Sequence, residues 1–176
     1  MAAFPGLTPG TWTVDPTHAE VGFVARHLMV AKVRGRFTDV SGTVEVGQTL
    51  AETSVRATAV AASISTNQAD RDAHLRSADF FDVEAFPELT FASTQVTDDA
   101  MTGDLTIKGV TREVTFDLEF DGVQADPWGN TKAGFTATTS INRSDFGLTW
   151  NAAIEGGGVL VSDKIQITIE VELLKG

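Results

Sequence analysis

Ile165-Gln166-Ile167-Thr168-Ile169-Glu170-Val171-Glu172-Leu173 sets an apolar side chain at every second position and a polar one between. A period of two puts the aliphatic residues on one face of an extended strand and the polar residues on the other. Val114-Thr115-Phe116-Asp117-Leu118-Glu119-Phe120 repeats the pattern. Two strands of this kind, each with one wet face, call for further strands to cover the dry one. Weaker runs of the same character occupy residues 11–14, 19–26, 33–46, 53–64, 88–96, 101–109 and 133–141. Eight or nine strands in 176 residues predict an all-β barrel or sandwich. Gly22, Gly35, Gly42, Gly103 and Gly134 fall inside these runs and are expected at bends and bulges where the sheet curls.

Two stretches break the period. Residues 67–76 predict a short helix with Asn67 as N-cap, Asp70 in the first turn and an Asp72–Arg76 pair one turn apart. That segment continues through residues 77–82 and stops at Phe86-Pro87. Residues 142–158 form the second excursion, with Phe146, Leu148, Trp150 and the run Gly156-Gly157-Gly158. No linker, repeat or shift in composition divides the chain, so residues 1–176 are expected to form one domain. The pattern fits a closed or nearly closed antiparallel sheet with two excursions capping it.

Composition narrows the chemistry. The chain has no cysteine, which excludes disulfides, thiolate metal sites and a cysteine nucleophile. It has no tyrosine but 11 phenylalanines, so its aromatic surface is almost wholly apolar. Twenty-four acidic residues against 13 basic ones leave a net charge of −11, a field that repels nucleic acid. The first ten residues carry no basic or long apolar leader, and no uncharged run approaches a membrane span, so a cytoplasmic location is expected.

Four stretches together resemble the YceI-like family. They are Trp12-Thr13-Val14-Asp15-Pro16-Thr17-His18-Ala19-Glu20-Val21-Gly22-Phe23, continuing to Arg26-His27-Leu28; Val33-Arg34-Gly35-Arg36-Phe37; Asp72-Ala73-His74-Leu75-Arg76-Ser77-Ala78-Asp79-Phe80-Phe81-Asp82 with Phe86-Pro87; and Leu105-Thr106-Ile107-Lys108-Gly109-Val110-Thr111 with Asn142-Arg143-Ser144-Asp145-Phe146-Gly147. The resemblance implies a lipocalin-like antiparallel β-barrel of about eight strands, with one short helix and a second irregular excursion. It also implies a hydrophobic interior that holds an isoprenoid lipid, in some members an isoprenoid quinone. It supplies no catalytic residues.

Candidate sites follow from the apolar faces. From the residues alone, the interior is either filled by side chains or holds one ligand. The candidate lining is Phe23, Phe37 and Phe91; Phe116, Leu118 and Phe120 from one alternating run; Phe135; and Ile165, Ile167 and Ile169 from the other. Phe80, Phe81, Phe86, Phe146 and Trp150, from the excursions, would line or plug the same space. Such a wall suits a polyprenyl chain, which has no hydrogen-bonding groups along its length. Arg26, Lys32, Arg34 and Arg36 form a basic island that reads either as a solvated strand face or as a rim for a lipid head group or an anionic membrane.

His18, His27 and His74 are the only histidines. They lack the spacing of a metal site, and His74 is expected to lean on Asp70 one turn earlier. The expectation is a non-enzymatic carrier or store with no catalytic cofactor and no metal. It would bind an isoprenoid lipid, with transient membrane contact and pairing of two barrels through a free edge strand left open. An enzyme acting on a lipid-like substrate through His18 or His74 is the alternative, and a filled-core interaction module is a third.

Overall fold

The computed structural model describes residues 3–28, 30–151 and 161–176. Ten strands are present among them: β1 (Gly10–His27), β2 (Ala31–Phe37), β3 (Val40–Val46), β4 (Ser54–Val60), β5 (Ile64–Ser65), β6 (Glu88–Val96), β7 (Ala100–Ile107), β8 (Val110–Ala125), β9 (Thr131–Asn142) and β10 (Lys164–Lys175). One helix, α1 (Ala69–Arg76), lies between β5 and β6. Eight of the strands close a ring in the order β1-β3-β4-β6-β7-β8-β9-β10, and β10 pairs with β1 to complete it. Every pairing is antiparallel. Closure removes the edges that an open sheet would leave.

β1 joins two of the expected strands into one. Residues 11–14 and 19–26 belong to one strand, interrupted by Asp15-Pro16-Thr17-His18. Val14 pairs with Leu173 and Ala19 with Val171, so four residues bulge outward against Glu172 alone. The proline has no ladder donor to give, and a bulge is where a strand accommodates that. Conversely, residues 33–46 divide into β2 and β3 at Thr38-Asp39. The lower half of β1 pairs with β3 and its upper half with β2. β2 therefore continues the wall beyond β3. β5 adds two residues to it, and the segment carrying α1 packs beside them through Leu75 and Phe81.

The helix is shorter than its sequence signals. Gln68, not Asn67, is the N-cap, its side chain accepting from the Arg71 N–H, while Asn67 turns the chain at φ +61°. Asp72 does not meet Arg76. Buried, it accepts from the Thr66 N–H at 2.8 Å and from the Thr66 hydroxyl. Arg76 instead donates to the carbonyls of Ala62 and Ile64 at 2.9 and 3.0 Å. Both side chains serve the backbone at β5, whose two residues leave their flanks short of ladder partners.

Register shifts lie at residues 14/19, 93/95 and 120/122, the last at Gly122 itself. Of the strand glycines expected at bulges, Gly103 and Gly134 flank one across the ladder, paired with Ser93 and Gly122, while Gly22, Gly35 and Gly42 lie in regular register. Gly35 and Gly103 have another use. A Cβ at Gly35 would overlap the Phe23 ring opposite it, and one at Gly103 would overlap the Phe91 ring. Each glycine gives an aromatic ring room to lie flat on the inner wall.

Candidate functional site

The barrel is packed on one side and open on the other. From β6, β7 and β8, Phe91, Leu105, Ile107, Val114 and Phe116 are buried against one another, with the Phe91 and Phe116 rings edge to face at 5.4 Å. From β1 and β10, Val21, Phe23, Ala25, Ile165, Ile167 and Ile169 also point inward yet remain only half-buried. An inward aliphatic side chain stays accessible only when no other side chain fills the space before it. That space is a cavity of about 270 Å³. Its wall is aliphatic and aromatic apart from a few threonines, Arg56 and Arg143.

Of the candidate lining, Phe23, Phe37, Phe91, Phe116, Leu118 and Phe135 reach this cavity, as do Ile165, Ile167 and Ile169. From the excursions, Phe80, Phe81 and Phe146 join them. Phe120, Trp150 and Phe86 do not. Phe120 packs on Phe4 and Phe135 with centroids 5.3 and 5.2 Å away, filling one end of the barrel. Trp150 stacks edge-on against His74 at 4.7 Å and leans on Phe80. Phe86 lies outside, beneath the Lys108-Gly109 turn. Residues 152–160 of the second excursion, with Gly156-Gly157-Gly158, lie outside the described residues.

The register defines the two ends. At one, the N-terminal segment enters the barrel: Phe4 and Leu7 are buried and line the cavity. Phe4 meets Phe135 edge to face at 5.3 Å. No alternating run marks this plug. Its only signal is two large apolar residues, Phe4 and Leu7, among prolines and glycines ahead of the first strand.

At the opposite end stand the β1–β2 turn, α1 and the loop after β9. Arg143 organises that loop. It is buried, and a single 3₁₀ turn (Arg143–Phe146) carries it. Its guanidinium donates to the carbonyls of Ser162 (2.9 Å), Leu148 (2.7 Å), Trp150 (2.8 Å) and Val161 (3.3 Å). Four carbonyls thus receive the donors of one planar fork, a geometry lysine cannot reproduce. Desolvation pushes its pKa down from the usual value, opposed by Asp163. The guanidinium also stands 6.0 Å over the Phe80 ring.

Neither candidate histidine lines the cavity. His18 sits on the outer bulge of β1, with Nδ1 3.1 Å from Asp15 Oδ2, 3.0 Å from the Thr17 hydroxyl and 3.5 Å from Glu172 Oε2. Lys132 donates to Asp15 at 2.9 Å and to Glu172 at 3.2 Å. Lys132, with Thr17, holds the Asp15 carboxyl far below the usual carboxylate range, and the two acids raise the Lys132 pKa. Asp15, His18 and Glu172 bring three ligand atoms within 4.8 Å of one another, but the Lys132 ammonium already bridges the two carboxylates. A divalent cation would have to displace it. His74 pairs with Asp79 at 2.9 Å rather than with Asp70, because its ring turns toward Phe80 and Trp150 beyond the helix end.

The basic island does not ring the cavity. Arg26, Lys32, Arg34 and Arg36 are all exposed on the outer face of the β1–β2 hairpin. Val21, Phe23 and Phe37 take the inner face of the same ladder. No helix among the described residues is long and apolar enough to cross a membrane.

The model of the YceI-like domain family matches residues 12–173. A UPF0312 protein of Staphylococcus aureus strain N315 is 40% identical over 166 residues, covering 92% of this chain and 95% of that one. The crystal structure of the Campylobacter jejuni YCEI protein is 34% identical with a TM-score of 0.71, over 86% of this chain and 90% of its own. A polyisoprenoid-binding domain from Saccharophagus degradans shares the fold with a TM-score of 0.73 at 14% identity, over 94% and 98% of the two chains.

Proposed function

This chain belongs to the YceI-like family, and from that premise we propose that it binds one long-chain isoprenoid lipid non-covalently and stores or carries it. The observation that carries the reading is the row Ile165, Ile167, Ile169 on β10, facing inward and still half-exposed to an apolar cavity. A filled core would bury these side chains as completely as Phe116 and Phe146 are buried. The polyisoprenoid-binding neighbour supports the class of ligand. A polyprenol or an isoprenoid quinone meets such a wall without stranding polar atoms on either side. Lipid tails are as apolar as leucine, so moving the chain from a bilayer into the barrel is near neutral in hydrophobic energy. A site of that kind loads and unloads, which suits a carrier or store.

A catalytic reading through His18 or His74 has less support, since both imidazoles are held by carboxylates, Asp15 and Asp79, away from the cavity. The test is displacement of an apolar fluorescent probe. Polyprenol or an isoprenoid quinone should expel the probe from the wild-type protein, while a cavity-filled variant such as Ala25→Phe should take up neither probe nor lipid. A probe that never enters the protein would contradict the reading.

A further inference from the structure

Two apolar tips are exposed at opposite ends of the barrel, and their electrostatic settings differ. Trp128, in the β8–β9 turn, is 83% exposed. Its neighbour Asp126 accepts from Asn130, which lowers the carboxyl pKa and keeps it ionised. The nearby cation Lys132 is committed to Asp15 and Glu172. In the β1–β2 turn Leu28 is 38% and Val30 80% exposed. This turn is flanked by Arg26, Lys32, Arg34 and Arg36, none of whose side chains makes a hydrogen bond or ion pair among the described residues. No acidic residue occurs between Glu20 and Asp39. The rest of the chain has nine basic residues against 24 acidic ones, so the hairpin is a cationic spur on an anionic body. Asp163, at the start of the neighbouring β10, is occupied by the Ser144 N–H and hydroxyl at 3.0 and 2.9 Å.

We propose that the β1–β2 hairpin docks the protein on an anionic lipid bilayer, with Leu28 and Val30 entering the head-group layer and Arg26, Lys32 and Arg34 facing the lipid phosphates. An exposed apolar tip ringed by cations is the pattern that binds such a surface, each cation contributing about five-fold in affinity. Distance along the strand grades the contributions. At about 3.3 Å per residue, Lys32 lies roughly 7 Å from Val30, Arg34 roughly 13 Å and Arg36 roughly 20 Å. With the tip sunk about 5–10 Å into the head-group layer, Arg34 stands within about 8 Å of the surface and Arg36 about 10–15 Å from it, beyond the screening length of about 8–10 Å at physiological salt. The site is also placed for exchange: Ala25 lines the cavity, and His27 bridges to Val161 of the cavity wall. The docking extends the carrier reading and rests on it for what would be exchanged. A second copy of the chain is a poorer occupant. Residues 31–35 of β2 have no partner on their outer side among the described residues, but pairing two such edges would set Lys32 and Arg34 against their own copies.

The test is flotation of the full chain, without added isoprenoid, with phosphatidylcholine vesicles containing about 30% phosphatidylglycerol. The protein should float with these vesicles at low salt, be released at about 0.5 M salt, and ignore pure phosphatidylcholine. Lys32→Glu with Arg34→Glu should weaken binding at least tenfold, Val30→Ser several-fold, and Arg36→Glu or Trp128→Ser less than twofold. These positions are exposed, and far-UV circular dichroism checks that each variant folds. No flotation, equal flotation with neutral vesicles, or indifference to the Lys32/Arg34 reversal would overturn the docking. So would a dimer, in place of vesicle capture, that the same reversal dissolves. Probe displacement on the same samples keeps the two claims apart. Flotation without ligand uptake would sink the carrier reading alone, and uptake without flotation the docking alone.

Discussion

Arg143 and Asp15 show how much a single charged side chain can hold in a barrel with so few polar contacts inside. Arg143 donates to four carbonyls at the cavity end, of which only that of Val161 is shown with a second donor, the Asn151 amide, among the described residues. Arg143→Met should therefore destabilise the fold by about 3 kcal/mol or more, because several buried acceptors lose their partners together. Arg143→Lys should recover little of it, having no planar fork. Urea denaturation of the three proteins compares them directly. Asp15 works through charge. Its pKa is depressed from the ordinary 3.8, chiefly by Lys132 and then by Thr17, so the native state binds fewer protons than the unfolded chain as acid is added. Its contribution is complete above about pH 5 and drains away as the pH falls below that. Asp15→Asn should cost about 1.5–3 kcal/mol at pH 7. The difference from wild type should shrink on the acid side, as pH-dependent unfolding would show. A difference that grew toward low pH would contradict the assignment.

At the level of elements, legibility followed the period of two. β8 and β10 were readable because their alternation runs unbroken through Val114–Phe120 and Ile165–Leu173, the inner and outer faces having opposite solvents. β1 was not, because Asp15-Pro16-Thr17-His18 mimics a turn locally while Glu172 and Lys132 across the ladder make it a bulge. The candidate lining shows the same division. Phe116, Leu118 and Phe120 alternate alike, but Phe120 meets the incoming N-terminal segment instead of the cavity, a long-range contact that no local pattern encodes. Trp150 was drawn elsewhere for a similar reason, by His74 on a distant segment. The N-terminal segment acts as a stopper. Phe4→Ala should cost about 3 kcal/mol by thermal or urea unfolding and raise binding of an environment-sensitive dye. Trp128→Ala, at the exposed tip, should stay within about 0.5 kcal/mol of wild type.

For the whole molecule, the division into a packed side and an open side governs what substitutions do. In a filled core, adding a phenyl group costs about 1–3 kcal/mol through forced rotamers and backbone shifts. Ala25 points into the cavity and is only half-buried, so Ala25→Phe has vacant space to enter and should cost less than that while abolishing uptake of an isoprenoid. Ala61, 1% exposed and away from the cavity wall, is the control, and Ala61→Phe should show the full penalty. Equal penalties at the two sites would argue that the interior is closed. The most direct test of the carrier reading is native mass spectrometry of the protein purified from cells without detergent, followed by solvent extraction. The account predicts a one-to-one adduct whose extract is an isoprenoid alcohol, phosphate or quinone. A bare protein mass that stays bare after incubation with polyprenol and isoprenoid quinone would contradict it.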